Sequence, residues 1–258
     1  MRHRLFVALV MFILVSPGLL LSGCLAPSTG AEAAIIDQLY SLQPNEAFIQ
    51  EVTEVLEGYG FKVDVYQGDE ITVDFYRGLP AHGYKLIIFR AHSGLLSHRE
   101  DSEIVVRRAT AIFTNEPYSK SKHISEQLDG QLARARVAEG YPEVFAIGAR
   151  FIKHSMEGQF EDTVVIMMGC YGLYLRDLVE AFVDTGASSY LAWDDLVALN
   201  YVDDATTTLI QKLCSEELTV EEAVAETMVE EGPDPNYGAV LKYYPPESGN
   251  RTLKQLIE

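Results

Sequence analysis

The sequence predicts an α/β protein built on a parallel sheet with helices on both faces. Two observations lead there. KLIIFRAHSG (85–94) and TVVIMMGCYG (163–172) are continuous apolar runs bounded by glycine, the pattern of strands covered on both sides. From 33 to 94, strand-like and helix-like segments alternate as β-α-β-α-β, an order that favours parallel pairing through crossover helices.

The elements follow in order. AAIIDQLYS (33–41) reads as the first strand. The segment 44–60 reads as a helix: Pro44 suits the first turn, Phe48, Val52, Val55 and Leu56 form an apolar stripe, and Gly60 suits the stop. FKVDVYQGDEIT (61–72) alternates and contains Gly68-Asp69, so it reads as a strand and turn. Residues 73–83 form a short helix or loop, and the strand 85–94 follows. The stretch 95–160 is expected to hold a strand within 107–119, a helix over 121–137, and an extended piece with a short helix over 140–158. A long insertion between core strands commonly carries a binding surface. After the strand 163–172 come a helix over 173–186 closed by Gly186, a strand over 187–197, and helices over 201–218 and 219–232. Thr219 and Glu222 make a capping box for the last helix. A final strand or extended arm spans 237–245. No internal repeat and no second domain are apparent.

The chain has 258 residues, enough for one α/β domain with an ample core, and its hydrophobic content of 48% argues against disorder. A net charge of −18 argues against nucleic acid as a partner, which needs a basic footprint, and suits a solvated face or basic substrates.

The N-terminus begins with basic residues, Arg2, His3 and Arg4, continues apolar, and reaches LSGC (21–24), the order of a secretory leader. That ending resembles the lipobox of prokaryotic lipoproteins, which implies cleavage before Cys24 and lipid on its thiol. The alternative is an uncleaved signal anchor. Either tethers the protein at the cell surface or the periplasmic side of the membrane. The organisation is then a signal peptide at 1–23, a flexible tether at 24–34 and a single domain at 35–258. Cys170 and Cys214 remain, as one disulfide or, the preferred reading, two free thiols. Cys214 shares an apolar helical face with Leu209 and Leu213 and reads as a buried, inert thiol.

Ligands of open α/β sheets bind beyond the carboxyl ends of the strands. His92 and Cys170 stand at two such ends. A strand running through Gly169-Cys170 into a helix would place the thiol near a helix N-terminus, where the dipole favours thiolate and free N–H groups can hold an oxyanion. Gly169 would let a substrate backbone approach. Histidine moves protons near neutral pH. Taken singly, Cys170 also reads as a core cysteine at a tight turn and His92 as a polar strand-end residue.

Together, the two motifs resemble the caspase-like cysteine peptidases, the group of caspases, legumain, clostripain, gingipain and separase. Their plan is a buried strand ending in His-Gly and a later buried strand ending at the nucleophilic cysteine. The resemblance implies a three-layer α/β/α sandwich in which Cys170 attacks the scissile carbonyl and His92 handles the proton. The N–H groups of Cys170 and Ser93 would stabilise the oxyanion. Here His-Gly is replaced by His92-Ser93, with glycine displaced to Gly94, and Met168-Gly169 precedes the cysteine. By the same resemblance Asp194 and Asp195 would line the pocket for the residue before the cut and favour Arg or Lys. Their plain reading is a solvated acidic turn.

There is no His-Glu-x-x-His pattern, clustered cysteine, phosphate loop or dinucleotide fingerprint, so neither metal nor cofactor is expected. Met168 also breaks the Gly-x-nucleophile-x-Gly elbow of α/β-hydrolases. The expected function is that of a membrane-anchored cysteine endopeptidase acting on peptide or protein substrates. The alternatives are a catalytically silent surface lipoprotein serving as a binding or scaffold module, and a thiol hydrolase or transferase acting on a non-peptide amide.

Overall fold

A computed structural model describes residues 30–96 and 109–258. The leader, Cys24 and most of the tether lie outside the described residues. The chain runs from β1 (Glu32–Asp37) through α1 (Glu46–Tyr59) to β2 (Lys62–Gln67), and through α2 (Val73–Gly78) to β3 (Leu86–Arg90). β4 (Ser93–Leu96), β5 (Ala109–Pro117), α3 (Ile124–Leu128), β6 (Leu132–Ala135) and β7 (Val144–Gly148) come next. α4 (Ala149–His154) leads to β8 (Thr163–Met167), α5 (Asp177–Asp184), β9 (Ala187–Trp193), α6 (Leu199–Cys214), α7 (Val220–Glu230), β10 (Leu241–Tyr244) and α8 (Leu253–Ile257).

The fold is mixed α/β. Six strands form one sheet in the order β10-β9-β8-β3-β1-β2, parallel except for β10, which runs antiparallel to β9. Alternate residues of the central strands enter different apolar clusters. Ile88 and Ile166 join one, with residues of α1, α6, α7 and α8. Phe89 and Met167 join the other, with residues of α2, α4 and α5. Coverage of both faces is why β3 over Leu86–Phe89 and β8 over Val164–Met167 are apolar at consecutive rather than alternate positions.

The segment between β3 and β8 builds a second, antiparallel sheet of four strands in the order β4-β5-β7-β6. The helix expected over 121–137 is cut short. Residues 124–128 bury no side chain, so a longer helix there would have no apolar face to pack. The chain turns at Gly130 (φ 65°), and Leu132 and Ala135 are buried as part of β6. Pairing with β7 overrides the local helical pattern.

Gly186 follows α5 as expected, at φ 107°, where a Cβ would collide with the Phe160 carbonyl. Cys170 and Cys214 are free thiols. Burial pushes the Cys214 thiol up to about 12, consistent with an inert core group. Among the described residues no helix is long and apolar enough to cross a membrane.

Candidate active site

β3 and β8 are neighbours in the sheet, paired in parallel with Phe89 opposite Met167. The Met168 N–H extends the pairing by donating to the Phe89 carbonyl at 2.9 Å. The chain leaves both strands at the same edge. His92 stands two residues past the end of β3 and Cys170 three past the end of β8. The hydroxyl of Ser93 donates to the Cys170 carbonyl and ties the two strand tails together.

This closeness explains the glycine before the thiol. A Cβ at residue 169 would overlap the Ser93 hydroxyl and lie 2.5 Å from both the Ala91 carbonyl oxygen and Met167 Cε. Gly172 is packed similarly, since a Cβ there would lie 2.7 Å from the Ala192 Cβ. Between them Tyr171 adopts a left-handed conformation (φ 60°), an unusual state for a residue with a side chain. The tail of β9 braces it: the Asp195 carbonyl accepts the Tyr171 N–H at 2.9 Å and the Trp193 carbonyl accepts the Leu173 N–H at 2.8 Å. Gly169→Ala should lower stability by about 1–3 kcal/mol through overpacking, read as a lower denaturation midpoint, and shift the thiol loop.

The backbone at His92 is fixed by Gln38, whose side-chain carbonyl accepts the His92 N–H at 2.9 Å. The Phe113 N–H donates to the His92 carbonyl at 2.9 Å, and Ser93 lies opposite Ile112. These two facts set the parity of the β4–β5 ladder. The single Phe113-to-His92 bond flanks the Ser93–Ile112 pair, which is therefore a non-hydrogen-bonded one whose N–H groups face away from each other. The Ser93 N–H therefore points away from β5. Ser93 in place of the glycine of a His-Gly pair thus still presents a backbone N–H on that side.

Burial, with a contribution from the Arg90 charge, holds the His92 imidazole below the ordinary histidine range. Burial pushes the Cys170 thiol up; hydrogen bonds with the backbone of Val197 and of Cys170 itself work the other way, and Asp234 and Asp195 add to the rise. The sulfur lies 3.8 Å from the Val197 carbonyl oxygen, which its S–H faces. Both shifts favour the uncharged forms, thiol and imidazole, at neutral pH. The expectation of a dipole-stabilised thiolate is corrected here: α5 starts at Asp177, seven residues beyond Cys170, and turns fill the gap.

Asp194 accepts the Val240 N–H at 2.8 Å on one oxygen and faces the Lys242 ammonium at 2.7 Å on the other, fastening β9 to the approach of β10. Asp195 caps the Leu196 N–H at 2.7 Å, and its charge reaches the thiol. Three contributors went unseen in the sequence. Gln38 orients the His92 backbone. Asp234 sits inside its own turn, accepting the N–H groups of Asn236, Tyr237 and Ala198. Arg90 is fully buried between Asp37 and Asp203. An arginine ending an apolar strand, and an aspartate ending another, were the visible signals of that ion cluster.

Among the described residues no group of three or more His, Cys, Asp or Glu side chains is arranged to hold a metal ion. No protein-family model matches the chain, and comparison with curated proteins finds no match.

Proposed function

We propose that the protein is a cysteine peptidase of caspase-like type, with Cys170 as nucleophile and His92 as proton carrier. The adjacency of β3 and β8 carries this reading, because it brings both strand tails to one edge of the sheet. The helices contributing to both apolar clusters support the three-layer frame that the resemblance implies.

The chemistry starts from the neutral pair. As the sulfur attacks the scissile carbonyl carbon, its proton passes to the imidazole, a C–S bond forms, and the carbonyl π electrons move to oxygen. The Ser93 and Cys170 N–H groups donate to that oxyanion. The imidazolium then protonates the leaving amine as the C–N bond breaks, and water hydrolyses the thioester. A lowered imidazole makes the imidazolium a strong acid for the amine, and a raised thiol gives an intrinsically strong nucleophile once its proton has gone. With Asp194 engaged by Lys242, Asp195 is the better candidate for a basic residue before the cut. The tether through Cys24 belongs to the same proposal and would hold the active site at the cell surface.

One observation favours the binding-module reading: the S–H faces the Val197 carbonyl, with no preformed thiolate. Labelling separates the two readings. A peptide chloromethyl ketone carrying arginine should alkylate Cys170 saturably and faster than one carrying glutamate, a selectivity that exposure of the thiol alone does not give, and mass spectrometry of the digested protein would locate the adduct. Equal rates with the two ketones, or no adduct at Cys170, would remove the peptidase assignment.

A further inference from the structure

A cleft runs beside the site, between the β1–α1 connection and the second sheet. Its nearer part, about 160 Å³, is walled by Leu42, Val137, Tyr141, Pro142 and Val144, with Gln38 at its edge. That is the size of a cavity able to take a benzene ring. Its farther part, about 440 Å³, is walled by Thr72, Asp74, Glu116 and Lys122. Asp69 and Asn115 line both parts, so the two adjoin, and both together are termed the groove.

The groove starts at the catalytic histidine's own support. Gln38 holds the His92 N–H and donates to the Asn115 side-chain carbonyl at 2.7 Å. Phe113, whose ring centroid is 5.9 Å from that of His92, precedes Asn115 by two residues on β5, about 7 Å of extended chain. Leu42 and Tyr141 leave 44% and 47% of their surface exposed here, although scattered exposure is the norm for apolar side chains. From the shared Asp69 onward the walls become acidic, with Asp74, which Arg77 meets on one oxygen at 3.3 Å, and Glu116 against Lys122. Glu116 is raised by burial but more strongly lowered by its bonds to Lys122, the Val73 N–H and His123, and so remains an anion.

We propose that this groove binds an extended segment of the polypeptide substrate, seating an apolar side chain against Leu42 and Tyr141 and a basic side chain farther on against Asp69 and Asp74. The assignment of that segment as substrate rests on the peptidase reading above. Charge selects the occupant: a chain of net charge −18 repels a second copy of itself and any acidic partner, while a basic segment is drawn in.

The test uses the full chain with Cys170→Ala, so that binding is measured without turnover. Two fluorescent hexapeptides serve as probes, one centred on Leu-Lys and one on Ser-Glu, read by anisotropy. The Leu-Lys probe should bind more tightly, weaken as salt rises, and lose about tenfold in affinity with Leu42→Glu and with Asp69→Lys. Both substitutions are at exposed positions, and unchanged melting temperatures would verify folding. Equal binding of the two probes, or affinity unmoved by either substitution, overturns the proposal. So does self-association that Leu42→Glu abolishes, because the occupant is then a second copy. Binding that follows the groove while the wild-type chain hydrolyses neither probe would remove the catalytic assignment and leave the groove. Hydrolysis with a KM indifferent to both substitutions would do the reverse.

Discussion

Arg90→Met is expected to destabilise the protein by about 3–5 kcal/mol, the cost typical of removing one partner from a buried ion cluster. The Arg90 guanidinium has no exposed surface. It grips Asp203 with two nitrogens, at 2.8 and 2.9 Å, meets Asp37 at 2.8 Å, and donates to the Gln43 carbonyl at 3.0 Å. Asn45 joins the cluster by donating to Asp203 at 2.8 Å while its own carbonyl caps the Phe48 N–H of α1. The cluster thus locks the ends of β1 and β3, the start of α1 and the body of α6 immediately behind His92. Without the cation, two carboxylates face each other out of water and must protonate or drag the structure open. For a domain of this size the loss corresponds to a melting temperature lower by roughly 6–20 °C. Asp37→Asn should cost much less. Burial, only partly offset by Arg90, already pushes the Asp37 carboxyl up, and one of its oxygens has no hydrogen-bond partner. A denaturation midpoint for Arg90→Met within a degree or two of the wild type would show that the cluster is dispensable.

The same residues mark what could be read from the sequence. β3 and β8 were visible because both faces of the sheet are covered, which leaves an unbroken apolar run in the chain itself. α1 was visible because its apolar stripe and Gly60, at φ 113°, lie within one segment; its N-cap is Asn45, and Pro44, expected in the first turn, precedes the helix. What stayed hidden depends on partners far away in sequence. Leu132–Ala135 became a strand because β7 offers an edge, a fact absent from their own pattern. Arg90 finds Asp203 across 113 residues. Asp194 and Asp195 are adjacent in the chain, yet one is spent on Lys242 while the other caps the Leu196 N–H and raises the thiol through its charge, a choice made by the position of β10. The thiol's state was misjudged for a related reason. Gly-Cys-Tyr-Gly looked like the entry to a helix, and only the start of α5 at Asp177 removes the dipole from the thiol.

On the proposed peptidase reading, His92→Ala is expected to lower kcat for peptide hydrolysis by about 10²–10⁴-fold, the usual worth of a positioned proton carrier. The same variant should leave alkylation of Cys170 by iodoacetamide at neutral pH almost unchanged, because no imidazolium supports the thiolate at rest. The pH profiles follow from the two directions of shift. The Cys170 thiol lies above its ordinary range, so its alkylation should climb steadily through neutral and mildly alkaline pH without a plateau. The His92 imidazole lies below 6.5, so its free base is present at neutral pH, and kcat/KM should fall only as acid carries the pH through that lowered value. The product is a broad plateau of hydrolysis, with an acid limb set by the histidine and an alkaline limb beyond the ordinary thiol range. A preformed ion pair would reverse the pattern: alkylation would level off in mild acid and collapse in His92→Ala. Such a result would leave the two residues paired but refute the neutral resting state, and with it the order in which the proton and the sulfur move.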